Sequence, residues 1–303
     1  MSKRTLALIG ATMVSIIYGM TFTIAKDVMP QYVQPYGFIL IRVGISALLF
    51  WIAAFLMNRT NLVPMQPIAN ADFPRIAAAA FFGVALNMLT FFKGLSYTSP
   101  ISASVIMVTT PIIVLILSAI LLKERMLKRS IFGIVLGLAG TAMLILYGKS
   151  VGNATNANLG NFLVFVNAAS YGLYLIIVKK LMDKYNAFNF VKWIYLFGFL
   201  MVLPFGWNEF AEVDWSLMPN TIWWKIAFVV VLSTFVTYLL NLVSMRELKP
   251  TTVAVFIYLQ PVFAAIFAIG LGKDHLTWVK IASAAVIFLG VALVTSKKTV
   301  KPA

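Results

Sequence analysis

The sequence predicts an all-α polytopic membrane protein, with ten transmembrane helices arranged as two inverted five-helix repeats. Three observations predict this: an apolar composition, ten apolar runs of spanning length, and a self-similarity at one constant offset. Of 303 residues, 61% are hydrophobic and 11% charged, and the mean hydropathy is +0.94. A water-soluble domain is about 45–50% apolar and about 25% charged. Nine Asp and Glu with 24 Lys and Arg cannot coat so apolar a chain. Most of its surface must face lipid.

A helix crosses the hydrocarbon with roughly 20 apolar residues. Runs of that length lie at 6–25, 36–57, 76–97, 101–122, 130–148, 159–178, 187–207, 222–245, 250–272 and 277–296. The first follows Lys3 and Arg4, as in a secretory leader. It is longer than a leader core and has no small-residue cleavage site before Lys26, so it is expected to be a retained helix. The third run is interrupted by Asn87 and Lys93, and counting it keeps the charge pattern regular. The longest connections, 58–75 and 208–221, are too short to hold a soluble domain.

Basic residues alternate between the two sets of connections. With the N-terminus inside, sixteen of the 24 Lys and Arg fall in inside segments, among them Arg59, Lys128, Arg129, Lys179, Lys180 and Lys184. Six fall outside: Lys26, Lys93, Lys149, Lys225, Lys273 and Lys280. The positive-inside rule then places both termini in the cytoplasm of a bacterial inner membrane. The net charge of +15 follows from this topology, and no nucleic-acid partner is expected.

Shifting the chain by 150 residues places Pro100 on Pro250, Pro111 on Pro261, Gly140 on Gly290 and Arg42 on Lys192. Tyr18-Gly19 also matches Tyr171-Gly172 at a nearby shift. The repeats are therefore residues 1–150 and 151–303, with five spans each. An odd number of spans inserts the second half upside down, and inverted halves support two packings of similar energy that open to opposite sides.

These residues carry a resemblance. Phe91-Phe92-Lys93-Gly94-Leu95-Ser96-Tyr97-Thr98, Ser102-Ala103-Ser104, Pro111, and Leu122 to Arg125 through Gly140 resemble the EamA-type repeat of the drug/metabolite transporter superfamily. Ile41-Arg42 and Tyr18-Gly19 fit the same pattern, while the second half diverges, with Asp274 where the pattern has Glu. The resemblance implies a ten-helix exporter of amino acids or other metabolites. It also implies that spans one, three, four, six, eight and nine surround the pathway, with five and ten outside.

Polar groups in a bilayer need a partner or a wet path. Asn87 and Thr90 share a face of the third span with Phe91, and Asn167, Tyr171 and Tyr174 share one of the sixth. Thr234, Tyr238 and Asn241 share a face of the eighth; Tyr18, Thr110, Tyr258 and Gln260 add to the pathway set. Such a lining suits a neutral or zwitterionic solute with an apolar part. The alternative for each amide or hydroxyl is an interhelical hydrogen bond. Pro111 and Pro261, both mid-span, each free a backbone carbonyl near Met107 or Phe256, to bind substrate or to let the helix bend.

Arg42 and Lys192 are expected to snorkel to the interface; facing the cavity instead, together with Lys93, they would support an anionic solute. Glu124 and Asp274 are expected to form structural salt bridges, and Gly133, Gly137 and Gly140 a close-packing face. No acidic residue lies mid-span, which disfavours the carboxylate-based drug/proton antiport of small multidrug exporters.

Zero cysteines exclude thiolate, iron–sulfur and Cys-zinc chemistry, and His275 alone cannot build a multi-His metal site. No catalytic residue, metal or cofactor is expected. The expected partners are a small-molecule substrate and membrane lipid, in a monomer or homodimer. A carrier for an organic anion, nucleoside or lipid-linked group is the other reading. A membrane enzyme is disfavoured by the lack of acids and histidine at depth.

Overall fold

The computed structural model describes residues 3–60, 66–121, 128–147, 156–238, 240, 244, 256 and 258–295. Among these, every regular element is helical. The helices are α1 (Lys3–Val28), α2 (Pro35–Arg59), α3 (Phe73–Ala80), α4 (Leu86–Tyr97), α5 (Pro100–Met107) and α6 (Thr110–Leu121). They continue with α7 (Lys128–Tyr147), α8 (Ala157–Met182), α9 (Ala187–Ala211), α10 (Asn220–Ala227), α11 (Gln260–Gly270) and α12 (Trp278–Thr295). Among the described residues, seven helical runs are long and apolar enough to cross a membrane, and the shorter apolar helices are Asn220–Val236, Gln260–Gly270 and Trp278–Leu293.

Capping residues set several starts. The Ser99 hydroxyl accepts from Ser102 N (3.3 Å), with Pro100 pre-set for the first turn. Asn156 accepts from Leu159 N (3.2 Å) and Asn186 from Phe188 N (3.1 Å). The third span begins at Asn70, earlier than the apolar run indicates. Asp72 anchors the added turn: its carboxylate accepts from Lys184 Nζ (3.1 Å) and Tyr185 Oη (2.8 Å).

Two spans carry a wide turn. The third passes through a π-helical segment, Phe81–Ala85, between α3 and α4, and α10 continues into another, Phe228–Val236. Such segments leave carbonyls to be met by neighbours. Ser170 Oγ donates to Phe82 O (2.6 Å), and Thr234 Oγ1 donates to Val229 O (3.1 Å).

A turn stands before each of two prolines. Val108 and Thr109 form a turn ahead of Pro111, and Tyr258 and Leu259 form one ahead of Pro261. The hydrogen bonds match: Thr109 N to Ile106 O and Ile113 N to Thr109 O, against Leu259 N to Phe256 O and Phe263 N to Leu259 O. The turns stand 150 residues apart, the offset at which the prolines themselves recur.

Packing follows the same correspondence. α2 lies on α9 and α7 on α12; α4 lies on α8, and α1 on the segment Phe228–Val236. α1 also packs on α11, and α8 on α6. The last two contacts use matching glycines. A methyl at Gly19 would come within 2.5 Å of Phe263, and one at Gly172 within 3.2 Å of Ile113. α7 and α12 meet backbone to backbone at the periphery, where a methyl at Gly290 would lie 2.6 Å from Gly133 O and Gly137 N. Their outer faces expose Phe132, Val135 and Leu289, as lipid contact requires.

Candidate functional site

The aromatic and polar side chains of five spans converge between these packed pairs. Tyr18 (α1), Tyr171 and Tyr174 (α8) and Tyr195 (α9) are close neighbours, and Tyr238 lies beside Tyr174 and Tyr195. Tyr171 and Tyr174 stack at 5.7 Å. Phe50 of α2 packs on Tyr195 (4.7 Å) and edge-on to Tyr238 (5.1 Å). Gly83, inside the first π-helical segment, leaves room for the Tyr174 ring, because a methyl there would come within 2.3 Å of it. All five tyrosines are half-buried, and among the described residues none of their hydroxyls has a protein hydrogen-bond partner.

Arg42 lies beside this group. It is 8% exposed, on α2, and faces inward. Its Nε donates to Thr234 Oγ1 (2.8 Å), and its guanidinium carbon sits 4.9 Å from the centre of the Phe92 ring. Tyr195 and Tyr18 are its electrostatic neighbours. Among the described residues no carboxylate pairs with it, and neither terminal nitrogen donates to a protein acceptor. The snorkelling expected of Arg42 is therefore corrected: Thr234, turned by the second π-helical segment, holds the head group inside the bundle.

The other two cations differ. Lys192 lies over the Trp51 ring (4.7 Å), and Lys93 lies between the rings of Tyr36 (5.2 Å) and Tyr97 (5.1 Å). Both settle on aromatic faces.

The remaining candidates divide by their hydrogen bonds. Asn87 Nδ2 donates to Asn167 O (3.2 Å), and Asn167 Nδ2 donates to Asn87 O (2.8 Å), a reciprocal clasp between the third and sixth spans. Asn167 Oδ1 is left buried with no partner among the described residues. Thr90 Oγ1 donates back to Leu86 O (2.7 Å), and Thr110 Oγ1 to Met107 O (2.8 Å). Phe91 bridges Phe22 (5.5 Å) and Phe92 (5.0 Å) beside the Arg42 ring contact.

The two carbonyls singled out ahead of the prolines each accept a hydrogen bond from a side-chain hydroxyl. Thr110 satisfies Met107 O, and Ser15 Oγ of α1 satisfies Phe256 O (2.6 Å). Tyr258 packs on Phe288 of α12 (6.2 Å), and Pro261 lines a lateral apolar cavity of about 680 Å³ with Ile101, Val105 and Phe288. Gln260 opens α11, immediately ahead of Pro261. Pro111 follows the turn at Val108–Thr109, and Asn241 lies outside the described residues.

Sequence reasoning left three members out of the candidate set: Arg42, Phe50 and Tyr195. Spans two and seven were not among the six expected to surround the pathway, yet Arg42 and Phe50 come from one and Tyr195 from the other. The available signal was a basic residue several positions inside an apolar run, repeated as Lys192 at the offset of 150.

Asp274, as expected, is a structural salt bridge. It pairs with Lys280, both side chains fully buried, and accepts from Ile101 N (3.2 Å) and His275 N (2.8 Å). Glu124 lies outside the described residues.

The sequence model of the EamA-like transporter family matches residues 5–146 and 158–296. The chain belongs to that family, within the drug/metabolite transporter superfamily. This EamA-family protein is 27% identical over 282 residues to an uncharacterized transporter of Archaeoglobus fulgidus, covering 93% of this chain and 95% of the relative. It is 26% identical over 232 residues to the uncharacterized transporter YetK of Bacillus subtilis, covering 76% of this chain and 70% of that one. A solved structure titled only as a crystal structure of a protein matches with a TM-score of 0.58 at 17% identity, over 96% of each chain. That likeness concerns the fold alone. The EamA-family protein is thus a multi-pass membrane transporter.

Proposed function

We propose that this transporter exports amino acids or related small metabolites across a bacterial inner membrane by alternating access. In this reading ten transmembrane helices form two inverted repeats, residues 1–150 and 151–303, with both termini cytoplasmic. The observation that carries it is the recurrence, 150 residues apart, of the turn at Val108–Thr109 as that at Tyr258–Leu259, each followed by a helix that starts on a residue-proline pair. Equivalent turns in oppositely inserted halves give each half the same joint on opposite sides of one central site.

The pathway set is Tyr18, Phe91, Tyr171, Tyr174 and Tyr238 on the aromatic side, with Asn87, Thr90, Thr110, Asn167, Asn241, Tyr258 and Gln260 as polar contributors. The four tyrosines of the first group support the reading best, because they gather between the spans and their hydroxyls have no protein partner among the described residues. The chain works as a monomer or homodimer.

Efflux measured from cells with and without the protein, using a panel of radiolabelled amino acids, tests the substrate class. Faster efflux of at least one amino acid is expected, and no difference for any of them overturns it. Tags inserted near residues 100 and 250 test the inversion, and emergence on the same side of the membrane removes alternating access by repeat exchange.

A further inference from the structure

Arg42 holds a positive charge in the interior of the bundle that the described protein groups do not neutralise. One nitrogen is fixed by Thr234, and Phe92 covers a face of the guanidinium. The terminal nitrogens, which form the fork that grips a carboxylate, are left without protein acceptors among the described residues. Burying an unpaired ion inside a membrane protein is costly, so such a group persists where an anion completes it.

We propose that Arg42 is the binding residue for the carboxylate of the transported solute, and that the protein's substrates are small organic monocarboxylates, amino acids included, with an apolar or aromatic body. This rests on the transport reading above and narrows it. One guanidinium balances one negative charge. The flanking phenols of Tyr18 and Tyr195 carry donors for the carboxylate's remaining lone pairs, and the rings of Phe50, Tyr171, Tyr174 and Tyr238 supply apolar surface for the body. A lone ammonium finds no described carboxylate at Arg42, and the fixed cation repels it. Amines without an acid group are therefore rejected, and neutral amides bind weakly.

The test uses the purified full chain in detergent with four probes of similar shape: 3-phenylpropionate, its carboxamide, 2-phenylethylamine and L-phenylalanine. Binding is read by equilibrium dialysis and by the shift in Tm. The two carboxylates are expected to bind at least tenfold more tightly than the amide or the amine, in keeping with the usual worth of a charged hydrogen bond. Arg42→Gln is expected to bring the acid-to-amide ratio to about one, and Arg42→Lys to retain part of it. A merely structural arginine would weaken all probes alike and leave that ratio unchanged.

Equal binding of acid and amide by the wild type overturns the proposal. So does the absence of carboxylate binding, or an unchanged ratio in Arg42→Gln. Should Arg42→Gln fail to fold, the wild-type ratio and Arg42→Lys still decide. Carboxylate binding without flux of any amino acid would leave the assignment of Arg42 standing and remove the export reading. Flux of amines that is indifferent to residue 42 would do the reverse.

Discussion

Among the described residues two cations are buried, and they are treated in opposite ways. Lys280, 1% exposed, is matched by a fully buried Asp274 and also donates to His275 O (3.0 Å). Asp274 in turn accepts from two backbone amides, one of them on α5. That arrangement closes on itself. Arg42 has a threonine hydroxyl and a ring face, and its fork is open. A satisfied buried ion pair fastens helices together, whereas an unsatisfied ion keeps binding capacity that only a ligand can use.

The contrast breaks most readily at Lys280. Asp274→Asn leaves a buried ammonium without its counter-charge, and a loss of about 3–5 kcal/mol is expected, read as a fall in Tm and in folded yield. Replacing both partners, Asp274→Leu with Lys280→Met, should recover most of that loss. Equal instability of the single and double variants would show that the pair is not what is being measured. Next comes Thr234→Val, which removes the acceptor of a charged hydrogen bond. A cost of about 1.5–3 kcal/mol in denaturation is expected, together with weaker carboxylate binding as the arginine loses its tether.

Gly290→Ala probes packing away from either cation. Its new methyl meets Gly133 and Gly137 backbone, and about 1–3 kcal/mol of stability should be lost while acid-over-amide selectivity stays intact. Asn87→Ala opens one half of the clasp to Asn167. The expected cost is about 0.6 kcal/mol, the mean for such interhelical bonds, measured as a small drop in Tm with protein yield unchanged. The smallest expected effect is that of Arg42→Gln on stability. Removing an unpaired charge offsets the lost hydrogen bond, so the two nearly cancel and Tm should stay close to that of the wild type. A large fall there would place Arg42 with Lys280 as a fastening group.

Much of the fold was legible because lipid imposes simple rules. The apolar runs mark the helices, and Gly133, Gly137, Gly140 and Gly290 mark a seam because close backbone approach in a bilayer needs small residues. The prolines marked both turns at one offset. The π-helical segments at Phe81–Ala85 and Phe228–Val236 were not legible, since an extra residue in a turn leaves no compositional trace in an apolar run. The early start at Asn70 was hidden for another reason: it depends on Asp72 meeting Lys184 and Tyr185, a contact over more than a hundred residues.

The centre was only partly readable. Periodicity grouped Tyr171 with Tyr174 because one helix carries both, and it placed Tyr238 on a polar face. It could not say that Asn87 and Asn167 use their amide nitrogens on each other's backbones, nor that Thr110 covers the carbonyl its proline neighbour frees. Arg42 was the larger miss. Whether a basic side chain turns outward to the headgroups or inward is fixed by partners on other helices, here Thr234 and Phe92.

The ionic contacts of Asp72 have a counterpart at the other end of the bundle, where Asp27 of α1 pairs with Lys225 (2.6 Å) and Lys273 (2.7 Å). Asp72 ties the start of the third span to Lys184 beyond the end of the sixth; Asp27 ties the end of the first to Lys225 near the start of the eighth. Acid and base have traded places between the two knots, yet the same kinds of helix ends are joined. In the inverted arrangement proposed above, each knot would face a different aqueous compartment, and salt added to one compartment would loosen only the knot that it bathes. Asymmetric ionic conditions across sealed vesicles would then be a handle for slackening either mouth of the protein separately, without altering a single residue.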